Sequence, residues 1–257
     1  MKGLKGKVAI VTGGGRGIGK ATCKTLVEYG VNVAIAEIND ETGQQVESDL
    51  RAQGGDVCFI KTDIAQEESI AAMVARTVEQ FGRVDILINN AVLFVPQGIE
   101  ATAAEWETAL RVNVIGYALC IKHCVAKMKA VGKGAIVNVS SNLAFVAQPD
   151  CLLYSTAKSA LTCMTKSMAM ELAPFHIRVN AVCPGTTWTE LCEKYYWETM
   201  GLTRETADQH PQIGGAQLLK RVAEPIEIAE AIAFLASDSA SFITAENLMV
   251  DGGYTAL

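Results

Sequence analysis

The run Thr12-Gly13-Gly14-Gly15-Arg16-Gly17-Ile18-Gly19 decides the fold of this 257-residue chain. It follows an apolar stretch at 7–12 that is typical of a β-strand, and a helical pattern follows it. A glycine-rich turn between a strand and a helix can bind the pyrophosphate of a dinucleotide. The spacing is G-x-x-x-G-x-G, because Lys20 takes the place of the last glycine of the longer G-x-G-x-x-G fingerprint. The turn predicts a nucleotide-binding strand–helix unit.

Strand and helix patterns alternate along most of the chain. Apolar strand patterns recur at 31–36, 57–60, 84–88, 135–139, 178–183 and 248–250, and the two longest helical patterns cover 103–130 and 153–172. This alternation predicts an α/β fold: a Rossmann-type, doubly wound parallel sheet of about seven strands with helices on both faces. We expect one domain over 1–257.

The alternation weakens between 184 and 225, where glycines, prolines and four aromatic residues occur. Loops of that length inside a compact domain are usually functional or disordered, and the aromatic residues argue against disorder. We therefore expect a substrate lid at about 186–220 that is mobile without ligands and ordered over substrate.

Composition limits the partners. The net charge is −6 and lysines and arginines are scattered, so we expect neither nucleic acid nor a membrane as partner. We find no signal peptide and no apolar stretch of transmembrane length. The eight cysteines form no C-x-x-C pair, and no histidine completes a ligand set. We predict reduced thiols, no metal and a cytoplasmic location.

A tyrosine and a lysine suggest the chemistry. Tyr154 and Lys158 are four residues apart on a predicted helix, so they share a face, and an ammonium near a phenol lowers the pKa of the phenol. Such a phenol could accept the proton left when a hydride leaves a secondary alcohol. Ser141, thirteen residues before Tyr154, could stabilise the developing alkoxide.

The predicted cofactor is NAD, with NADP less favoured. Glu37 ends the second strand 18 residues after Gly19, where a carboxylate can bind the ribose hydroxyls and repel a 2′-phosphate. Arg16 favours NADP instead, since an arginine could pair with that phosphate. Four further candidates follow the third and fourth strands: Asp63 and Ile64, expected at the edge and face of the adenine, and Asn89 and Ala91, expected beside the cofactor.

With these motifs assembled, the chain resembles the short-chain dehydrogenase/reductase family from residue 7 to residue 253. The resemblance rests on these elements: the T-G-x-x-x-G-I-G turn, Asp63, Asn89-Asn90-Ala91, Asn113, Ser141, Tyr154, Lys158, Pro184-Gly185 with Thr189, and Asp251-Gly252-Gly253. The chain departs from the family pattern at Val92 and at Ala245, where glycine is usual.

The resemblance implies roles for individual residues. Tyr154 would be the general acid/base, and Lys158 would lower its pKa and bind the nicotinamide ribose. Ser141 would bind the substrate oxygen, and Asn113 would hold a water of the proton relay. The remaining cofactor contacts implied, besides Glu37, are Gly13, Arg16, Gly17, Ile18, Gly19, Pro184, Gly185, Thr187 and Thr189.

The resemblance also implies a homotetramer, in which the helices at 103–130 and 153–172 pack against their copies. The substrate is expected to be a small alcohol or ketone. Candidate contacts, besides Ser141 and Tyr154, are Leu143, Gln148 and Trp188, within a wider set of Val92, Phe94, Asn142, Leu153, Leu191, Tyr195, Tyr196 and Trp197.

Two alternatives stay open. The first is an NADPH-dependent ketoreductase of the 3-oxoacyl carrier-protein reductase type, which Arg16 permits and Glu37 disfavours. The second is a nucleotide-sensing binding protein that has lost catalysis, which the presence of Ser141, Tyr154 and Lys158 together disfavours.

Overall fold

Seven strands form one parallel sheet in the order β3-β2-β1-β4-β5-β6-β7 in the computed structural model, which describes residues 1–256. The strands are β1 (Val8–Thr12), β2 (Asn32–Glu37), β3 (Val57–Lys61), β4 (Ile86–Asn89), β5 (Gly134–Val139), β6 (Ile177–Pro184) and β7 (Asn247–Val250). β1 pairs with β2 on one side and with β4 on the other. Successive strands are therefore added on one side of β1 up to β3 and on its other side from β4 onwards. The point where this order reverses is where α/β proteins bind ligands.

Helices cover both faces of the sheet, which confirms the predicted fold class. They are α1 (Gly17–Glu28), α2 (Asp40–Ala52), α3 (Glu67–Phe81), α4 (Ala103–Leu110), α5 (Tyr117–Val131), α6 (Leu152–Leu172), α7 (Glu190–Met200), α8 (Arg204–Ala207) and α9 (Pro225–Ala236). Alternate strand residues serve opposite faces. Ala9 and Val11 belong to the core under α1, α2 and α9, whereas Ile10 belongs to the core under α3, α5 and α6.

The predicted helix at 103–130 contains a π-helical turn. α4 ends at Leu110, the turn covers Arg111–Gly116, and α5 begins at Tyr117. Gly116 makes a close contact possible, because a Cβ there would lie 2.7 Å from the backbone oxygen of Ile64. Short π-helical turns of this kind occur frequently at functional sites.

The stretch Ala103–Val131 is also long and apolar enough to cross a membrane by length and composition, with a mean hydropathy of 1.3. The expectation that no stretch has transmembrane length is therefore wrong by this criterion. The criterion is weak evidence, because a core helix of a soluble protein also meets it. Tyr117, Cys120 and Cys124 of this stretch are buried in the protein core.

The lid segment, 186–220, is largely helical rather than a loop. It carries α7 and α8, and a small apolar core of Ala207, Ile213 and Val222 lies beneath it. Trp188 and Tyr196 pack against this core. Two of the aromatic residues in the segment therefore have packing partners, and sequence periodicity did not predict α8 because it is only four residues long.

Candidate active site

The glycine turn joins β1 to α1 at the switch point of the sheet. Gly13 has φ 64°, and a Cβ there would lie 2.7 Å from the Cα of Ala91. A Cβ on Gly19 would collide with the carbonyl oxygen of Gly13. Only glycine fits these close approaches, and the turn ends at the N-terminus of α1, where anions bind. The predicted residues Gly13, Gly17, Ile18 and Gly19 thus form a turn that fits a dinucleotide pyrophosphate.

Thr12 and Asn90 hold the segment after β4 against this turn. The Thr12 hydroxyl accepts hydrogen bonds from the backbone N–H groups of Asn90 (3.0 Å) and Ala91 (3.1 Å). The Asn90 amide donates to the carbonyl oxygens of Thr12 and Gly13, each at 3.0 Å. Ala91 therefore lies beside the glycine turn as predicted. Asn90, which we did not select from the sequence as a site residue, orders the turn.

The Asn89 side chain does not reach the cofactor region. It is fully buried, and its amide donates to the Asn138 side chain at 3.0 Å, beneath the sheet. The Asn138 amide donates in turn to Thr165 on α6. The predicted cofactor contact at Asn89 stays a prediction, and with this side chain bonded to Asn138 it would have to involve the backbone.

Glu37 lies beside the glycine turn, as predicted. Its carboxylate accepts hydrogen bonds from the backbone N–H groups of Gly15 (3.1 Å), Ile38 (2.9 Å) and Asn39 (3.1 Å). These three bonds fix a negative charge at the carboxyl end of β2. Arg16 is exposed, and its side chain makes no capping hydrogen bond at the start of α1.

The two residues expected around the adenine behave differently. The Asp63 carboxylate is partly exposed and accepts a hydrogen bond from the backbone N–H of Ala65 at 2.9 Å. Ile64 is 5% exposed and packs in the core against Gly116, and its predicted contact with the adenine stays a prediction. Ile64 can pack this close because Gly116 has no side chain: a Cβ at position 116 would lie 2.7 Å from the backbone oxygen of Ile64.

Ser141 and Lys158 are buried around Tyr154. Ser141 is 6% and Lys158 is 1% exposed, while Tyr154 keeps partial exposure. The Lys158 ammonium donates to the carbonyl oxygen of Val139 at 2.7 Å and lies 5.5 Å from the centre of the Tyr154 ring. The structure therefore brings together the three residues that the sequence predicted as a catalytic set.

The pKa values in this set differ from the prediction. Burial raises the pKa of Tyr154 to about 12, opposed by a hydrogen bond from Ser141. Burial lowers the pKa of Lys158 to about 7. Burial dominates the pKa of Tyr154 in this geometry, because the Lys158 ammonium lies over the ring and its hydrogen bond goes to Val139. Ser141 is the neighbour that lowers the tyrosine pKa.

The adjacent serines have separate tasks. The Ser140 hydroxyl donates to the backbone oxygen of Lys158 at 2.9 Å and so ties α6 to the end of β5. The Ser141 hydroxyl accepts from the backbone N–H of Leu143 at 3.1 Å, at the start of a short helical turn. Ser140 fixes the position of Lys158, whereas Ser141 faces the tyrosine.

Asn113 lies in the π-helical turn and is buried. Its side-chain oxygen accepts from the N–H of Leu93 at 2.9 Å, and its amide donates to the carbonyl oxygen of Leu93 at 2.8 Å. The side chain clamps the segment that follows β4. The expected role of Asn113 in holding a relay water stays a prediction, and because both polar atoms of its side chain bind Leu93, that role would fall to its backbone.

The segment after β6 completes the rim. Pro184 ends β6, and a Cβ on Gly185 would lie 2.8 Å from the Cα of Asp251. The Thr187 hydroxyl donates to the carbonyl oxygen of Gly185 at 3.1 Å. These contacts bring 184–187 against the run Asp251-Gly252-Gly253 that the sequence singled out.

Thr189 and Glu190 start α7 beside the glycine turn. The Thr189 hydroxyl accepts from the N–H of Cys192 at 3.2 Å and caps the helix, and its methyl group would contact a Cβ on Gly17. The Glu190 carboxylate accepts from the N–H of Gly17 at 3.0 Å. Thr189 is close to the turn as predicted. Glu190, which the sequence did not single out, contacts the turn directly.

Aromatic rings line the approach to Tyr154. Phe94 packs edge-to-face on Tyr154 and on Tyr195, with ring centres 5.3 Å apart in both pairs. We call Phe94, Tyr154 and Tyr195 the aromatic wall. Phe94 comes from the segment after β4 and Tyr195 from α7, so the wall joins the sheet edge to the lid segment.

The three further substrate candidates lie in different surroundings. Leu143 lies two residues after Ser141 and is partly buried, and the Gln148 amide donates to the Tyr254 hydroxyl at 3.4 Å. Trp188 packs on the small core under the lid segment, with the Arg204 guanidinium 6.0 Å from its ring centre. Trp188 is thus part of the lid's own packing, and Phe94 and Tyr195 take the position near Tyr154.

Within 1–256 no group of three or more histidine, cysteine, aspartate or glutamate residues could hold a metal ion. All eight cysteines are free thiols, and burial raises the pKa of Cys23, Cys120, Cys124 and Cys183.

The chain is similar in sequence to known oxidoreductases over nearly its whole length. A family model described as enoyl-(acyl carrier protein) reductase matches residues 13–255. The cis-4-hydroxycyclohexanecarboxylate dehydrogenase of Sinomonas cyclohexanicum is 41% identical over 253 residues, covering 98% of this chain and 97% of that protein. The cyclopentanol dehydrogenase of a Comamonas strain is 35% identical over the full length of both chains.

A solved structure is also similar. It is a 7α-hydroxysteroid dehydrogenase complexed with NADH and 7-oxo glycochenodeoxycholic acid, with a TM-score of 0.89, 29% identity, and coverage of 97% of this chain and 94% of that one. The sheet and helices of that enzyme are therefore arranged as they are in this chain. The relatives named here are dehydrogenases of cyclic alcohols, and the chain belongs to the short-chain dehydrogenase/reductase family.

Proposed function

We propose that this protein is an NAD-dependent dehydrogenase that interconverts a cyclic secondary alcohol and its ketone. The observation that carries the proposal is the position of Tyr154. It lies with Ser141 and Lys158 near the carboxyl edge of the sheet, and the glycine turn lies at the same edge. A proton acceptor and a dinucleotide-binding turn are the two parts that alcohol oxidation by hydride transfer requires.

The residues that would hold the cofactor fit its chemistry. The glycine turn and the N-terminus of α1 would bind the pyrophosphate, Glu37 the adenosine ribose, and Tyr154 and Lys158 the nicotinamide end. When bound, the oxidised nicotinamide supplies the acceptor for the hydride. We infer that Tyr154 takes the proton of the alcohol hydroxyl while Ser141 donates a hydrogen bond to the same oxygen.

The tyrosine pKa of about 12 must fall for this role near neutral pH. Cations close to a phenol lower its pKa by favouring the phenolate. The Lys158 ammonium and the positive charge of the oxidised nicotinamide would both act in that direction. Proton acceptance by Tyr154 is therefore expected to depend on cofactor binding, and alcohol oxidation should accelerate as pH rises.

Glu37 supports NAD over NADP. Three backbone N–H groups hold the Glu37 carboxylate in one orientation. A 2′-phosphate at the adjacent ribose would therefore be repelled by its negative charge. We expect wild type to favour NAD by at least tenfold in kcat/KM, and Glu37→Gln to narrow that ratio. A wild type that favours NADP tenfold would contradict this assignment and support the NADPH-dependent ketoreductase, with Arg16 as the phosphate partner.

The aromatic wall supports a ring-shaped, uncharged substrate. Edge-to-face rings form a rigid apolar surface on which an alicyclic ring can pack. The charge of Asp150 acts on Tyr195, and it would repel a substrate carboxylate. We therefore expect cyclopentanol and cyclohexanol to be oxidised better than a hydroxycyclohexane carboxylate, unlike the preference that the name of the Sinomonas relative states.

The assay that tests the function is NADH formation at 340 nm with a panel of cyclic, linear and carboxylated alcohols. Turnover of cyclic alcohols with NAD supports the proposal. Binding of NADH without turnover of any alcohol or ketone in the panel would favour the catalytically inactive, nucleotide-sensing alternative.

We also propose a cytoplasmic homotetramer. The free thiols suit a reducing compartment. Met170 on α6 is 82% exposed, and Ile115 in the π-helical turn is 41% exposed, as expected of helices that pack against copies of themselves. Ile121 and Leu161, on the same two helical stretches, are buried inside the subunit and are not available for such contacts. Light scattering would test the state, and a mass of 27.4 kDa for the particle would contradict it.

A further inference from the structure

Tyr117 is a second tyrosine near the candidate active site. It is the first residue of α5, directly after the π-helical turn, and none of its surface is exposed. It is one of the largest side chains buried to that degree. Its hydroxyl has no hydrogen-bond partner among the described residues. A buried hydroxyl without a partner costs stability, so removing it in Tyr117→Phe should not destabilise the fold.

The ring of Tyr117 faces the ammonium of Lys158. The Lys158 nitrogen lies 5.6 Å from the centre of the Tyr117 ring and 5.5 Å from the centre of the Tyr154 ring. Both distances fall within the range of a cation–π interaction, which strengthens when the cation is removed from water. Lys158 thus has one aromatic ring from its own helix, α6, and one from α5.

Other partners of the Lys158 ammonium are few. It makes one hydrogen bond, to the carbonyl oxygen of Val139, although an ammonium can donate three. None of the ion pairs formed within 1–256 includes Lys158. The titratable groups that act on it are the Cys183 thiol from β6 and the phenols of Tyr117 and Tyr154, and all three are neutral when protonated.

We propose that Tyr117 is a positioning residue for the dehydrogenase reaction, whose ring face holds the Lys158 ammonium in place and in its charged form. The proposal rests on the proposed function for its catalytic consequence. A charged Lys158 favours the phenolate of Tyr154, so the ring of Tyr117 acts on the proton acceptor through the lysine. Burial lowers the pKa of Lys158 to about 7, so any stabilisation of its charged form by the ring changes how much of it is protonated near neutral pH.

The test varies the ring while keeping its shape. Phenylalanine at position 117 keeps the π-face and removes the hydroxyl, whereas pentafluorophenylalanine keeps the ring shape and removes its negative face. We expect Tyr117→Phe to keep kcat/KM for alcohol oxidation within threefold of wild type. Pentafluorophenylalanine should lower kcat/KM at least tenfold and shift the rising limb of the pH profile to higher pH. A mono-fluorinated ring should give an intermediate shift.

A second readout does not need turnover. The pKa of Lys158, measured by NMR of ¹³C-labelled lysine with Lys158→Met to assign the signal, should fall in the pentafluorophenylalanine variant and stay unchanged in Tyr117→Phe. An unchanged Lys158 pKa in the fluorinated variant would overturn the inference, as would a change of equal size in both variants. A wild type without alcohol activity would refute the proposed function, and this titration would still decide the role of Tyr117.

Discussion

Replacing Lys158 by methionine should make the protein more stable while it removes activity. Methionine has a similar length and no charge, so the substitution removes the cost of keeping an ammonium in a site that is 1% exposed. Burial lowers the pKa of Lys158 from 10.5 to about 7. At about 1.4 kcal/mol per pKa unit, that difference corresponds to at most about 5 kcal/mol at neutral pH.

Part of the stability that Lys158→Met gains by removing the charge is offset by a lost hydrogen bond. The variant loses the hydrogen bond to the Val139 carbonyl oxygen, which costs about 1–3 kcal/mol if the oxygen stays buried without a partner. We therefore expect Lys158→Met to raise the free energy of unfolding by about 2–4 kcal/mol at pH 7. Burying a charge for catalysis at the expense of stability is common at functional sites.

The pH dependence follows from the sign of the shift. The charge costs the folded state most below the folded pKa of about 7, where Lys158 is protonated in both states. Between about 7 and 10.5 the unfolded chain binds more protons at this position than the folded chain, so the wild type gains stability as pH rises. The advantage of Lys158→Met should shrink over this window.

Urea unfolding at pH 6, 7.5 and 9, at one protein concentration, measures both effects. Lys166→Met is the matched control, because Lys166 is exposed on the same helix and should change stability by less than about 0.5 kcal/mol. A Lys158→Met protein that is less stable than wild type at every pH would refute the reasoning. It would mean that the hydrogen bond and the two rings outweigh the cost of the buried charge.

Three further predictions concern other parts of the molecule. Ala245→Gly should stabilise the protein by about 0.5–1 kcal/mol, because Ala245 has φ 64° where glycine is unstrained; unchanged or lower stability in urea would contradict this. Glu190→Gln should tighten NADH binding about three- to tenfold in a fluorescence titration at low salt, because its carboxylate takes the Gly17 N–H that a pyrophosphate would use; weaker binding would show that Glu190 helps instead. Hydrogen exchange in the lid segment should slow when NAD and a cyclic alcohol bind, and equal protection with and without them would identify a fixed scaffold.

The fold could be read from the sequence because its signals are local. The glycine turn and the strand and helix patterns each depend on neighbouring residues. Glu37 was placed correctly for the same reason, since it directly ends β2. The spacing between Tyr154 and Lys158 likewise fixes a shared face once α6 is a helix.

The details of the candidate site depend on contacts between distant segments. The Asn113 side chain hydrogen-bonds to Leu93, twenty residues earlier in the chain. The sequence around Asn113 therefore does not predict this contact. Ile64 turns inward because Gly116 leaves room for it. The pKa values of Tyr154 and Lys158 depend on burial, which spacing along a helix does not report.

Replacement of Tyr154 by phenylalanine tests the central claim most directly, because it deletes one hydroxyl and keeps the ring of the aromatic wall. The measurement is NADH formation at 340 nm from NAD and a cyclic alcohol, paired with the NADH dissociation constant of the same preparation. We predict that Tyr154→Phe loses at least a thousandfold in kcat, while NADH binds within threefold of wild type. Turnover above a tenth of wild type with unchanged NADH binding would show that another group accepts the proton, and the account of this site would be wrong.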